Sequence, residues 1–228
     1  MSNLFRDLSP LNKGIRIGRI TLFTLLMLLL LLPPALVNAD SDISVLNSST
    51  EMHFPAALIF HLEAEGPANI TQARLHYQVD KMNYAQVTSE GWADFTPAPE
   101  VKTGWTWDMT TSSLPPGAAV KYWWTIKDDN GNKVETAPNT TYFTDDRYPW
   151  QSLTNSQISL FWYEGDNAFA QELLHTCEAG LARLTQYIGV YPVKPIEVYV
   201  YASANDLQGA MIYPMEWTGG VAFTEFST

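Results

Sequence analysis

Leu114 to Gly131 reads LPPGAAVKYWWTIKDDNG, and its pattern decides how the first half of the chain folds. Pro115, Pro116 and Gly117 make a turn, because proline fixes φ and glycine supplies a positive φ at no steric cost. Beyond the turn the side chains alternate. Val120, Tyr122, Trp124 and Ile126 share one face and Lys121, Trp123, Thr125 and Lys127 the other, which is the period of a β-strand with one wall in a core. Asn130-Gly131, the pair best suited to two successive positive φ angles, then closes a hairpin.

The same period recurs on both sides. Leu58, Phe60, Leu62 and Ala64 alternate with Ile59, His61, Glu63 and Glu65; Ala73, Leu75, Tyr77 and Val79 alternate with Arg74, His76, Gln78 and Asp80; Val101, Thr103, Trp105 and Trp107 form a further face. Residues 43–145 are therefore expected to form a small β-sandwich. The run from Leu114 to Gly131 resembles immunoglobulin-like and fibronectin type III-like modules, which specify a fold more than a task.

A polar linker with a proline and a large aromatic, 146–156, which overlaps the run DDRYPWQSLTN (Asp145 to Asn155), separates this module from a stretch of different period. Ile158 to Tyr163 reads as a strand and Asp166 to Ile188 as a helix of about six turns. Asp166 is placed as its N-cap and Gly189 as the residue that ends it. Phe169, Leu173, Cys177, Leu181, Leu184 and Ile188 fall on one helical face. Ile196 to Ala202 reads as a second strand, Asn205 to Ala210 as a short helix, and a last strand is expected from about Gly220. Residues 157–228 thus have the order of an α+β or α/β segment, an incomplete one by its small number of elements.

The first 39 residues are set apart from the fold. Arg6, Lys13, Arg16 and Arg19 precede the apolar run Ile20 to Leu32, Pro33 and Pro34 break it, and Val37-Asn38-Ala39 offers a cleavage site. The segment is a signal peptide or an uncleaved membrane anchor, and either places the remainder outside the cytoplasm, extracellular or on the cell surface. Without it the chain holds nine basic and twenty-three acidic residues, a net charge of −14. So acidic a surface excludes nucleic acid and disfavours anionic membrane as partners. Cys177 is the sole cysteine, so no intrachain disulfide forms.

Chemistry-bearing clusters are sparse. His53, His61, His76 and His175 include no pair at helical i, i+4 spacing, so no His-Glu-x-x-His motif is present. His61, Glu63 and Glu65 share a strand face that a solvated edge explains. His175 lies off the apolar stripe of its helix, where Cys177 reads as an inert buried thiol. Asp128, Asp129, Asn130 and Asn132 lack the glycine position and closing glutamate of a calcium loop and fit a turn. Trp123 faces outward, either lining a ligand groove or packing on the linker aromatics Tyr148 and Trp150.

The stretch from ISLFWY through YIGVYP, IEVYVYAS and DLQGAM to WTGGVAF resembles the N-terminal part of a peptidase MA-like domain, the gluzincin class of zinc metallopeptidases. The resemblance implies a zincin-like subdomain in which the last strand walls the substrate cleft. Gly219, Gly220, Val221 and Ala222 would form a substrate-facing edge, the glycines permitting close backbone approach; a glycine bulge in an ordinary strand is the competing reading. It also implies a zinc-binding helix beyond that strand, so zinc is expected only in a longer form, with no cofactor, metal ligand or catalytic residue among the residues here. The expected function is that of an exported metallopeptidase-like protein, inactive as given, acting on a protein or peptide substrate. The alternative is a non-enzymatic immunoglobulin-like binding or structural module of the cell envelope.

Overall fold

The structure is a computed structural model that describes residues 43–81, 86–189, 191–226 and 228. All belong to one compact unit, Ser41–Thr228. The expected signal or anchor, 1–39, lies outside the described residues. No helix among the described residues is long and apolar enough to cross a membrane.

Seven strands form the sandwich: β1 (Ser44–His53), β2 (Ala57–Val79), β3 (Ser89–Trp92), β4 (Ala98–Asp108), β5 (Ala118–Asp128), β6 (Lys133–Glu135) and β7 (Asn139–Phe143). The alternating runs that begin at Leu58 and at Ala73 belong to one 23-residue strand, β2. Its first half pairs antiparallel with β1 and β4, its second half with β3 and β5. The register with β4 breaks between Glu65 and Ile70, so Gly66 and Pro67 sit in a bulge where no ladder N–H is required. The bend lets one strand serve both layers, and Phe60 of the first half meets Tyr122 at 5.1 Å between ring centroids.

The alternation is read out as burial. Leu58, Phe60, Leu62, Ala64, Leu75, Val120, Trp124 and Ile126 are fully buried in one core. Each large aliphatic or aromatic side chain contributes about 1.5–3 kcal/mol by leaving water. Gly117, at φ 85°, launches β5 as expected. The β5–β6 connection is four residues, Asp129 to Asn132, longer than the expected two-residue hairpin. Asp128 organises it by accepting from the Asn132 backbone N–H and from its Nδ2, both at 2.8 Å.

Trp123 has its ring partner within the sheet and not among the linker aromatics. It stands opposite His76 in the β2–β5 register and stacks on that imidazole at 5.3 Å and 11°. His76 also bonds Thr125 at 2.8 Å and meets Glu90 at 3.2 Å, and burial lowers its pKa.

A second, three-stranded sheet follows. The stretch expected as linker contains its first strand, β8 (Gln151–Thr154), antiparallel to β9 (Ile158–Trp162), which runs parallel to β10 (Ile196–Val200). Helix α1 (Asn167–Ile188) is the crossover that parallel pairing demands. Asp166 accepts from the Phe169 N–H, and Gly189 ends the helix at φ 69°. Ala170, Leu173 and Leu174 pack on Leu160, Trp162, Val198 and Val200. The buried stripe is rotated from the one expected: Phe169, Leu184 and Ile188 are exposed, and Cys177 is half-buried. Helix α2 (Ala204–Gln208) is capped by Ser203. The last strand does not form; residues 219–223 are irregular and 224–226 make a turn.

Candidate functional site

β10 is an edge strand. In a parallel pair, successive residues direct their backbone groups alternately to either side, and the Ile196 N–H reaches Gln157 at 2.8 Å on the β9 side. Val198 and Val200 follow Ile196 toward β9. Glu197 and Tyr199 therefore turn their N–H and C=O groups to the free side. Along that side runs a groove of about 960 Å³. β10 forms one wall and residues 219–224 the other, with Leu184 of α1 and Leu207 and Met211 near α2 closing it.

The structure thus places Gly219, Gly220, Val221 and Ala222 in the lining of the same groove as β10, in irregular chain rather than in a strand. A Cβ at Gly219 or Gly220 would meet nothing within 4 Å, so the packing of the chain on itself does not require glycine at either position. The groove walls are apolar and open: Leu184 is 57% exposed and Val221 44%.

Glu197 is the carboxylate of this edge. Burial is the main influence and raises its carboxyl pKa, offset in part by the Tyr199 hydroxyl, which donates to Oε2 at 3.4 Å. Both lie against Gly117, where a Cβ would overlap the Glu197 carboxylate and the Tyr199 hydroxyl. Because the folded pKa is raised, the unfolded chain ionises first as pH climbs. Ionised Glu197 therefore opposes folding from about pH 4.5 upward, and fully so above its raised value. The expected result for Glu197→Gln is a chain more stable than wild type at neutral pH, with the advantage vanishing below about pH 4.5. Urea midpoints at pH 4 and pH 7.5 measure it; an advantage independent of pH would contradict it.

Gly117→Ala is expected to destabilise by about 2 kcal/mol or more, from the positive φ and the overlap with β10 together. Gly131→Ala, at the same φ of 85° but in open space, isolates the first contribution and is expected to cost about 1 kcal/mol. Equal midpoint shifts in urea would mean that the contact with Glu197 and Tyr199 contributes nothing.

A polar-aromatic junction, which the sequence reading missed, fixes the groove to the sandwich. Asp145, with a fully buried side chain, accepts from Arg147 Nε at 2.8 Å and Nη2 at 2.6 Å and from the Tyr201 hydroxyl at 2.9 Å. Asp206 of α2 accepts from the Tyr148 and Tyr163 hydroxyls at 2.9 and 2.8 Å. The Tyr163 bond is the first of the contacts that lower the Asp206 pKa, while burial pushes the Tyr163 phenol up to about 12. Tyr148 stacks on Tyr163 at 4.2 Å, and Trp150 meets Tyr163, Tyr199 and Tyr201 edge-on at 5.0 to 5.4 Å. The alternation of Tyr199 and Tyr201 against Val198 and Val200 was the available signal.

The remaining candidates stay apart from the groove. His61 and His53 flank Glu51 on the sandwich surface at 3.1 and 2.8 Å. His175 is exposed and lies 3.9 Å from Glu178. Among the described residues no group of three or more His, Cys, Asp or Glu side chains is placed to hold a metal ion.

A family model, the Peptidase MA superfamily, matches residues 176–228, the stretch that holds both walls of the groove. No curated protein shows significant similarity to the chain. Among solved structures, the chain is similar to wild-type OgpA from Akkermansia muciniphila in one crystal form at 10% identity and TM-score 0.35, over 49% of this chain and 31% of that one. In a second crystal form the values are 11%, 0.35, 46% and 30%. It is also similar to a carbohydrate-binding module family 56 beta-1,3-glucan binding domain at 18% identity and TM-score 0.26, over 44% of this chain and 98% of that one. The chain spans less than a third of the length of OgpA.

Proposed function

We propose that the chain is part of an exported metallopeptidase-type protein and supplies the edge along which an extended peptide lies, with the immunoglobulin-like sandwich and the zincin-like segment held as one body. The Peptidase MA superfamily match over 176–228 supports the peptidase class. The observation that carries the reading is the free side of β10, where Glu197 and Tyr199 offer backbone donors and acceptors into an apolar groove. Strand addition to such an edge gives affinity through main-chain hydrogen bonds and selectivity through alternate side chains. Gly219 to Ala222 form the facing wall and contact the far side of the bound peptide. Zinc chemistry is not assigned to these residues, since no described cluster can hold the metal.

The test is binding of a fluorescently labelled decapeptide with alternating leucine and threonine, followed by anisotropy. Glu197→Pro removes one free-side N–H while leaving the Ile196, Val198 and Val200 ladder to β9 in place. Binding to wild type, weakened by about 10-fold or more in Glu197→Pro, is the expected result. Binding that Glu197→Pro leaves unchanged would place the peptide elsewhere. Absence of peptide binding would favour a non-enzymatic binding or structural module of the cell envelope.

A further inference from the structure

We infer that the sandwich carries a second site, a cleft for a short neutral oligosaccharide, independent of the β10 groove. The cleft has a volume of about 700 Å³, inside the range of small-molecule sites, and lies where β2 and β4 end beside the C-terminal stretch. Its wall is aromatic. Tyr77 of β2 lies 5.4 Å from Trp105 at 29° and 4.6 Å from Trp107 at 46°, so three rings form one continuous surface. Trp105 is seated on Gly91 of β3, since a Cβ there would fall on the indole at 2.5 Å. A glycine under the ring fixes its orientation at the cleft.

The rim is hydroxylic. Ser89, Ser112 and Ser113 line the cleft, and their hydroxyls hydrogen-bond to no described residue. The Asp108 carboxylate beside them accepts the Thr110 N–H at 2.8 Å through one oxygen. A wall of ring faces edged by unengaged hydroxyls and a carboxylate matches a pyranose, which has an apolar C–H face and a rim of hydroxyl groups. Charge narrows the class. Lys81, the sole basic residue among those lining the cleft, is already bonded to Glu225 at 2.8 Å and lies over the Phe226 ring at 5.2 Å. With Asp108 added the cleft has no free positive charge, in a chain whose net charge is −11 overall, so sulfated or carboxylated sugars are disfavoured.

The experiment is calorimetric titration of the full chain with β-1,4-linked glucose, β-1,4-linked N-acetylglucosamine and α-1,4-linked glucose hexasaccharides, alongside heparin and the leucine-threonine decapeptide. Variants are Trp105→Ala, which removes one ring of the wall, and Ser113→Arg, which places a long side chain at the rim from an exposed position. Trp92→Ala, at a tryptophan 53% exposed outside the cleft, is the control. At least one neutral hexasaccharide is expected to bind, about 10-fold or more weaker in both cleft variants and unchanged in Trp92→Ala. Should Trp105→Ala fail to fold, Ser113→Arg decides alone. No binding of any hexasaccharide, binding indifferent to Ser113→Arg, or tighter binding of heparin would overturn the assignment. Decapeptide binding abolished by Ser113→Arg and retained in Glu197→Pro would also overturn it, by making the cleft the peptide site.

Discussion

Asp145→Ala is expected to cost about 3–5 kcal/mol of stability, the loss typical when one partner of a buried charge pair is removed. The Asp145 side chain is fully buried, and the Arg147 guanidinium and Tyr201 hydroxyl both depend on it. Alanine strands the Tyr201 hydroxyl in a site lined by Tyr148, Trp150 and Tyr163 and leaves Arg147, 29% exposed, with only the Asp206 carbonyl at 3.4 Å as a hydrogen-bond acceptor among the described residues. The Trp150 indole bond goes to the Asp145 carbonyl at 2.8 Å and survives the substitution, so the loss reports the carboxylate alone. Asp145→Asn keeps the shape without the charge and is expected to lose less than alanine. The Asp145→Ala, Arg147→Leu double variant is expected to lose less than the sum of its single changes, because the second change removes the orphaned cation. Urea unfolding of the set measures this, and an alanine loss below about 1 kcal/mol would show that solvent takes over the role of the carboxylate.

Phe60→Ala is expected to be comparably damaging, at about 3–5 kcal/mol, for a different reason: it empties volume instead of breaking a bond. Phe60 is fully buried at the place where the two halves of the sandwich meet. Its ring lies 5.1 Å from Tyr122, 6.3 Å from Tyr77 and 6.1 Å from Trp105. A cavity there weakens contacts between layers and also unseats the rings of the saccharide cleft. Near-ultraviolet circular dichroism is therefore expected to fall together with the urea midpoint. Leu46→Ala, at a side chain 52% exposed on β1, is expected to shift stability by no more than about 0.5 kcal/mol. A Phe60 loss as small as that would mean the core collapses around the missing ring.

The sandwich was legible because its strands bury one face and expose the other, which writes a period of two into the sequence. Leu58 to Ala64 and Val120 to Ile126 are buried as that period demands. The bulge that accommodates Gly66 and Pro67 within β2 leaves no mark in the period. Helix α1 was legible at both ends from Asp166 and Gly189, yet its buried stripe was not, because the sheet beneath it covers only part of its length. Gly219 to Ala222 line the groove in irregular chain and not in the expected strand; strand pattern without a paired neighbour does not hold that conformation. The junction escaped because Asp145 and Arg147 bond residues more than fifty positions away, Tyr201 and Asp206. Nothing local in DDRYPW names those partners.

Hydrogen exchange at single-residue resolution tests the peptide edge most directly. With saturating leucine-threonine decapeptide, the free-side amides of Glu197 and Tyr199 are expected to slow together, while those of Ile196, Val198 and Val200, already turned toward β9, change little. Peptide that binds without slowing Glu197 and Tyr199 would contradict the claim that β10 receives an added strand.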